Sequence, residues 1–156
     1  MNWEAIGAIG EILGATAVVV SLIYLAVQIR ANQKEVRLAA MHEISVGFRE
    51  SISTFADPQM AELFTRANLQ NDTLTDAETL QLVVGMQRIF RVWEEAHNQY
   101  RAGRLDKHTW DTMIKQYSSY LAAPAFQMGW KLRRQFYDDD FREFVDKLPR
   151  TEYTLK

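Results

Sequence analysis

Residues 5–27 read AIGAIGEILGATAVVVSLIYLAV, and the polarity of these side chains decides the fold. At a rise of 1.5 Å per residue the run makes a helix of roughly 35 Å, against a bilayer hydrocarbon core of roughly 30 Å. Glu11 is the only formal charge inside it, and all 18 Lys and Arg residues lie at or beyond Arg30. An α-helix pairs its backbone polar groups within itself, which an apolar run needs if it is to leave water. Residues 1–29 are therefore expected to form a transmembrane helix in contact with membrane lipid. A buried helix of a water-soluble core is the competing reading, disfavoured because such helices seldom run this far without charge.

The flanks predict which way the helix points. A secretory signal begins with basic residues before a short apolar core, whereas here the opening Met-Asn-Trp-Glu carries Glu4 and no base. The bases Arg30, Lys34 and Arg37 follow the apolar run. By the positive-inside rule that flank stays in the cytoplasm, so the short N-terminus is expected to be translocated. Trp3 sits where an interfacial aromatic anchors a spanning helix, with Arg30, Lys34 and Arg37 as anchors at the other end.

Beyond the apolar run, roughly 125 residues of ordinary charged sequence remain, enough for one small core. The 156-residue chain carries a net charge of −2, so no overall basic field draws it to nucleic acid. It has no cysteine, which excludes disulfides and thiolate chemistry.

The pattern past Arg30 stays helical. Val36, Ala40, Ile44, Phe48 and Ile52 recur at steps of four, predicting a juxtamembrane amphipathic helix over 30–56. Asp57-Pro58 ends it and starts a short helix with Met60, Leu63, Phe64 and Ala67 on one face. Gln70-Asn71-Asp72-Thr73 is a polar loop. Thr75-x-x-Glu78 is a capping box that opens a helix with the stripe Leu82, Val83, Met86, Ile89, Phe90, Trp93, Ala96 and Tyr100. Gly103 supplies its left-handed stop. Asp106 caps a helix bearing Trp110, Met113, Ile114, Tyr117 and Leu121. Ala123-Pro124 opens another, with Phe126, Trp130, Leu132 and Phe136 as candidate core. Asp138, Asp139 and Asp140 start a last one holding Phe141, Phe144, Val145 and Leu148, closed by Pro149. No alternating strand pattern appears. The expected fold is all-α: the transmembrane helix, the 30–56 segment, a cytoplasmic bundle of about five helices over 57–149, and a frayed tail at 150–156.

Within the apolar run, Gly7, Gly10, Gly14, Ala17, Ser21, Tyr24 and Gln28 alternate at steps of three and four, the seam of a heptad. The first five are small. In lipid, small residues let helix backbones approach and accumulate dispersion contacts, so this face is the candidate for helix packing. Glu11 adjoins it. Glu11 has three readings: it bonds a neighbouring helix, lines a water-filled pore in an oligomer, or reaches the headgroups with no role.

Other constellations are weaker. Glu94-x-x-His97 resembles half of a di-iron bundle signature, but His108 and His42 do not complete it, so no metal site and no cofactor is expected. No nucleophile elbow and no phosphate-binding glycine loop occurs, and no enzymatic activity is expected. Lys131, Arg133 and Arg134 interleave with Trp130, Phe136 and Tyr137 as a small basic-aromatic patch; the following acidic triplet argues for a solvated helix face rather than a headgroup contact.

The opening WEAIGAIGEILGATAVVVSLIYLAVQIRAN and the segment RVWEEAHNQYRAGRLDKHTWD, Arg91 to Asp111, resemble those of uncharacterised bacterial single-pass membrane proteins with a cytoplasmic helical domain. That resemblance implies a bacterial inner-membrane protein of the same topology, with the N-terminus periplasmic, and carries no catalytic residues. The expectation is a non-enzymatic membrane protein that associates laterally, as a homo-oligomer or with another membrane subunit. A small homo-oligomeric ion channel lined by the Gly, Ser and Glu11 stripe is the alternative.

Overall fold

The computed structural model describes residues 2–69 and 73–151, the side chain of Ala5 excepted. Among these residues there are six α-helices and no strand, as the helical periodicities require. They are α1 (Trp3–Ser53), α2 (Pro58–Leu69), α3 (Asp76–Arg101), α4 (Lys107–Ala122), α5 (Pro124–Arg133) and α6 (Asp139–Lys147). Short 3₁₀ turns follow α1 at Thr54–Ala56 and α5 at Arg134–Phe136. The chain divides into two compact units between Ala39 and Ala40, inside α1.

In the first unit every described side chain from Asn2 to Ala39 is exposed. Among the described residues α1 alone is long and apolar enough to cross a membrane. Its hydroxyls are compatible with lipid: Thr16 Oγ1 donates to Ile12 O and Ser21 Oγ to Ala17 O, each at 2.8 Å. Such back-bonding to the preceding turn pairs both of these donors where water is absent.

The second unit is built around α3. Leu82, Val83, Met86, Ile89, Phe90, Trp93 and Ala96 are all buried, as their spacing predicts, and Tyr100 is half-buried. Trp93 stacks on the Tyr117 ring of α4 with centroids 4.2 Å apart, and Phe90 meets Trp130 of α5 at 5.1 Å. Gly129 lets α5 approach α3 closely, since a Cβ there would stand 3.0 Å from Met86 Cβ. The caps form as expected. Thr75 and Glu78 bond reciprocally at the start of α3, Asp106 Oδ1 accepts from Thr109 N at 2.9 Å, and Gly103 takes φ +70° just past α3.

Three local expectations change. Ala40 and Ile44 are buried, but Val36 is 40% and Ile52 37% exposed. A step of four overshoots the 3.6-residue turn by about 40°, so over four steps the ends rotate about 160° apart. The buried line instead bends back through half-buried Gly47 to Ser51. Leu132 and Phe136 are not core. The chain leaves the α-helix after Arg133, and the tighter turn swings Phe136 outward, 55% exposed, while Tyr137 enters the core at 5%. Asp138 stands at the N-cap of α6 without a side-chain cap bond; its backbone N–H donates to Glu94 Oε1 at 3.2 Å instead. The loop expected at 70–73 falls outside the described residues except for Thr73. Of the tail, 152–156 also falls outside, and Thr151 N donates to Ser118 O at 3.3 Å.

Candidate functional site

The small-residue face is a property of one helix. At about 100° per residue, Gly7, Gly10, Gly14, Ala17, Ser21, Tyr24 and Gln28 fall within an arc of about 100° on α1. Trp3 lies in the same arc by the same count. Glu11 stands about 40° beyond the Gly7 edge. Arg30, Lys34 and Arg37 fall on the opposite side of the helix, so the basic flank points away from the face.

Geometry along the face is open. A Cβ placed at Gly7, Gly10 or Gly14 would meet no atom within 4 Å. At the far end Gln28 Nε2 donates to Tyr24 OH at 2.8 Å, which ties the two polar residues to each other. Glu11 has no hydrogen-bond or ion-pair partner among the described residues. Chemically the face offers a shallow, flat strip of backbone and small side chains, flanked by one carboxylate. Such a strip suits close packing of another helix.

The Glu94–His97 pair is used otherwise. Glu94 accepts from Arg91 Nη1 at 2.6 Å and from Asp138 N, and Arg91 also donates to Phe136 O at 3.0 Å and lies 4.5 Å over the Tyr137 ring. The pair of charges thus clamps the α5–α6 junction onto α3. Burial pushes the Tyr137 phenol up to about 12, with Arg91 opposing. His97 is buried, stacked 4.8 Å from Phe144, and its Nδ1 has no partner. Burial lowers its pKa first and the Arg101 charge second, so the imidazole is held neutral. Among the described residues no three His, Asp or Glu side chains converge as a metal site would need.

Sequence reasoning missed the concavities of the bundle. An aromatic cleft of about 150 Å³ lies between Ile52, Phe55, Phe64, Ile89, Tyr120 and Phe126. A polar groove of about 240 Å³ runs beside His97 between Arg101 and Lys147. A wider apolar one of about 390 Å³ includes exposed Leu80 and Val84. Each lining draws on separate helices, so no local spacing announces it. Comparison with protein-family models, with curated proteins and with solved structures finds no significant match.

Proposed function

We propose that this chain is a non-enzymatic inner-membrane protein whose α1 crosses the bilayer and associates laterally through the Gly7–Gln28 face, with a second copy or with another membrane subunit. Its N-terminus would be periplasmic and its helical bundle cytoplasmic, on the strength of the bases that follow the apolar run. The bundle would serve as a docking or spacing module.

One observation carries this reading: the three glycines stand in open space. Each glycine in a helix interior is less favourable than alanine by about 1 kcal/mol. Gly85 and Gly129 in the bundle offset that loss by admitting Met60 or Met86 to within 3.0 Å of where a Cβ would sit. Gly7, Gly10 and Gly14 receive nothing comparable from their own chain, and a facing helix is the natural source of compensation. The outward-turned bases leave such an approach free of cation repulsion.

Gly10→Ile with Gly14→Ile tests the proposal. Proximity-dependent crosslinking in native membranes should fall severalfold while the protein remains membrane-inserted; undiminished crosslinking would refute it.

The partnerless Glu11 at the edge of the face favours a second reading, a homo-oligomeric cation channel lined by the same stripe. Purified protein in planar bilayers separates the two. Unitary conductance that changes on Glu11→Gln supports the pore, and silent bilayers support the scaffold.

A further inference from the structure

We propose that the turn joining α5 to α6 docks on an anionic membrane surface, with Leu132 and Phe136 entering the headgroup region and Lys131 and Arg133 meeting lipid phosphates. The inference rests on the membrane assignment of α1 and is independent of lateral association.

Phe136 and Leu132 are large apolar side chains that are 55% and 41% exposed. Their exposure is held in place. Arg91 Nη2 grips the Phe136 carbonyl at 3.0 Å, Glu94 receives the Asp138 N–H at 3.2 Å, and Trp130 Nε1 donates to Asp146 Oδ1 at 2.8 Å. Tyr137 fills the core position beside the turn. Phe136 therefore projects from a braced turn, while its neighbour Tyr137 is the ring that enters the core.

Charge selects the partner. Arg134 pairs with Asp146, and Arg91 with Glu94. Lys131 and Arg133 have no carboxylate partner among the described residues. The acidic triplet that follows is largely neutralised, since Asp139 pairs with Arg142 and Asp140 with Arg101. Two unpaired cations thus flank the apolar pair, against one unpaired carboxylate, Asp138. An aromatic and an aliphatic side chain rimmed by Lys and Arg match the layering of an anionic interface, with apolar groups below phosphates. Lys and Arg stems suit that depth because they bury methylenes while the charge stays wet.

The chain has no cysteine, so Gln135→Cys places one fluorophore beside the turn. The full chain carrying a nitrobenzoxadiazole label there is reconstituted in nanodiscs of phosphatidylcholine, alone or mixed with phosphatidylglycerol, and lipids with spin-labelled acyl chains serve as quenchers. Quenching is expected in the anionic discs only. Reversing Lys131 and Arg133 to Glu should lower the docked-to-undocked ratio by about tenfold or more, and molar salt should act likewise. Phe136→Ser, with unchanged circular dichroism, should also reduce it. Equal quenching in neutral discs, no quenching in either, or quenching that survives charge reversal overturns the proposal. A label shielded from aqueous iodide but untouched by lipid quenchers would assign the face to a protein and overturn it too. Failure of the chain to enter nanodiscs would overturn both this proposal and the membrane assignment of α1.

Discussion

Replacing Gly129 by alanine should destabilise the bundle, although the same change favours an isolated helix. Intrinsic propensity gains about 1 kcal/mol. Against it, the new methyl would sit 3.0 Å from Met86 Cβ and 3.4 Å from its Cγ and Sδ. Carbon atoms rest at about 3.5–4.0 Å, so the helices must part by about 0.5–1 Å. Met86 Cβ is fixed to the α3 backbone and has no rotamer by which to withdraw. Separation loosens the contacts that bridge the same seam, including Phe90–Trp130 at 5.1 Å and Phe90–Phe126 at 5.9 Å. A gap of that size forfeits a quarter to a half of each contact, which puts the overpacking penalty near the top of its range, about 2–3 kcal/mol. The net loss is about 1–2 kcal/mol, or a fall in Tm of about 3–10 °C for a unit of this size. Near-ultraviolet circular dichroism of the full chain in mild detergent reads it directly, because Trp93 and Trp130 flank the seam. Gly47→Ala is the control. Its Cβ would meet the Val92 methyls at 3.3 and 4.0 Å; the valine is stiff, but the shortfall is smaller than at Gly129 and the propensity gain of about 1 kcal/mol offsets it, so the change should be within about 0.5 kcal/mol of neutral. A Gly129→Ala protein that melts at or above the wild-type temperature would show that α3 and α5 are not pressed together as described.

Gly103→Ala should lower stability by about 1 kcal/mol in the same melting assay, because φ +70° is strained for any residue with a Cβ. Glu78 is held down from 4.5 to about 2, first by the Thr75 backbone N–H and then by Arg66. The unfolded chain therefore takes up this proton first as the pH falls. The stabilisation is complete above about 4.5, shrinks through the window down to about 2, and Glu78→Gln should flatten that part of a stability–pH curve. His97 behaves analogously near neutrality. Its folded pKa lies below the ordinary 6.5, so stability is full above 6.5 and drops as acid titrates first the unfolded and then the folded imidazole. His97→Phe should remove that slope in pH-dependent urea unfolding and, by deleting the orphan Nδ1, stabilise the neutral-pH protein by about 1 kcal/mol.

Much of this architecture is legible from spacing alone, for a physical reason. A helix that buries one face must repeat its apolar residues every three or four positions, and the buried residues of α3 do so from Leu82 to Trp93, with Val84 left on the exposed side. Caps are equally local, so Thr75, Asp106 and Gly103 announce their ends within four residues. Illegibility begins where periodicity is extrapolated. Steps of four through Val36 and Ile52 ignored the drift of the real turn, and Phe136 looked like core because nothing short-range warned that the helix would tighten after Arg133. That tightening is held by Arg91 and Glu94, 40 or more residues upstream.

The candidate surfaces divide along the same line. The proposed packing strip from Gly7 to Gln28 is visible in the sequence because a face that packed in lipid would obey the helical period as strictly as a core face does in water, with small residues taking the place of large ones. The braced turn at 131–136 has no period at all. Its outward aromatic follows from the tighter turn at Arg134–Phe136, which leaves Phe136 exposed and Tyr137 buried, and its charge from ion pairs that leave Lys131 and Arg133 unmatched while neutralising the acids beside them. Charge along the chain suggested a solvated face, since three acids follow three bases. Pairing in space is what admits the proposed docking, because a carboxylate already bound to Arg142 or Arg101 would repel a phosphate less than a free one. A surface that packed against a helical partner would thus announce itself by a repeat, whereas the proposed docking turn, which follows no helical period, would not.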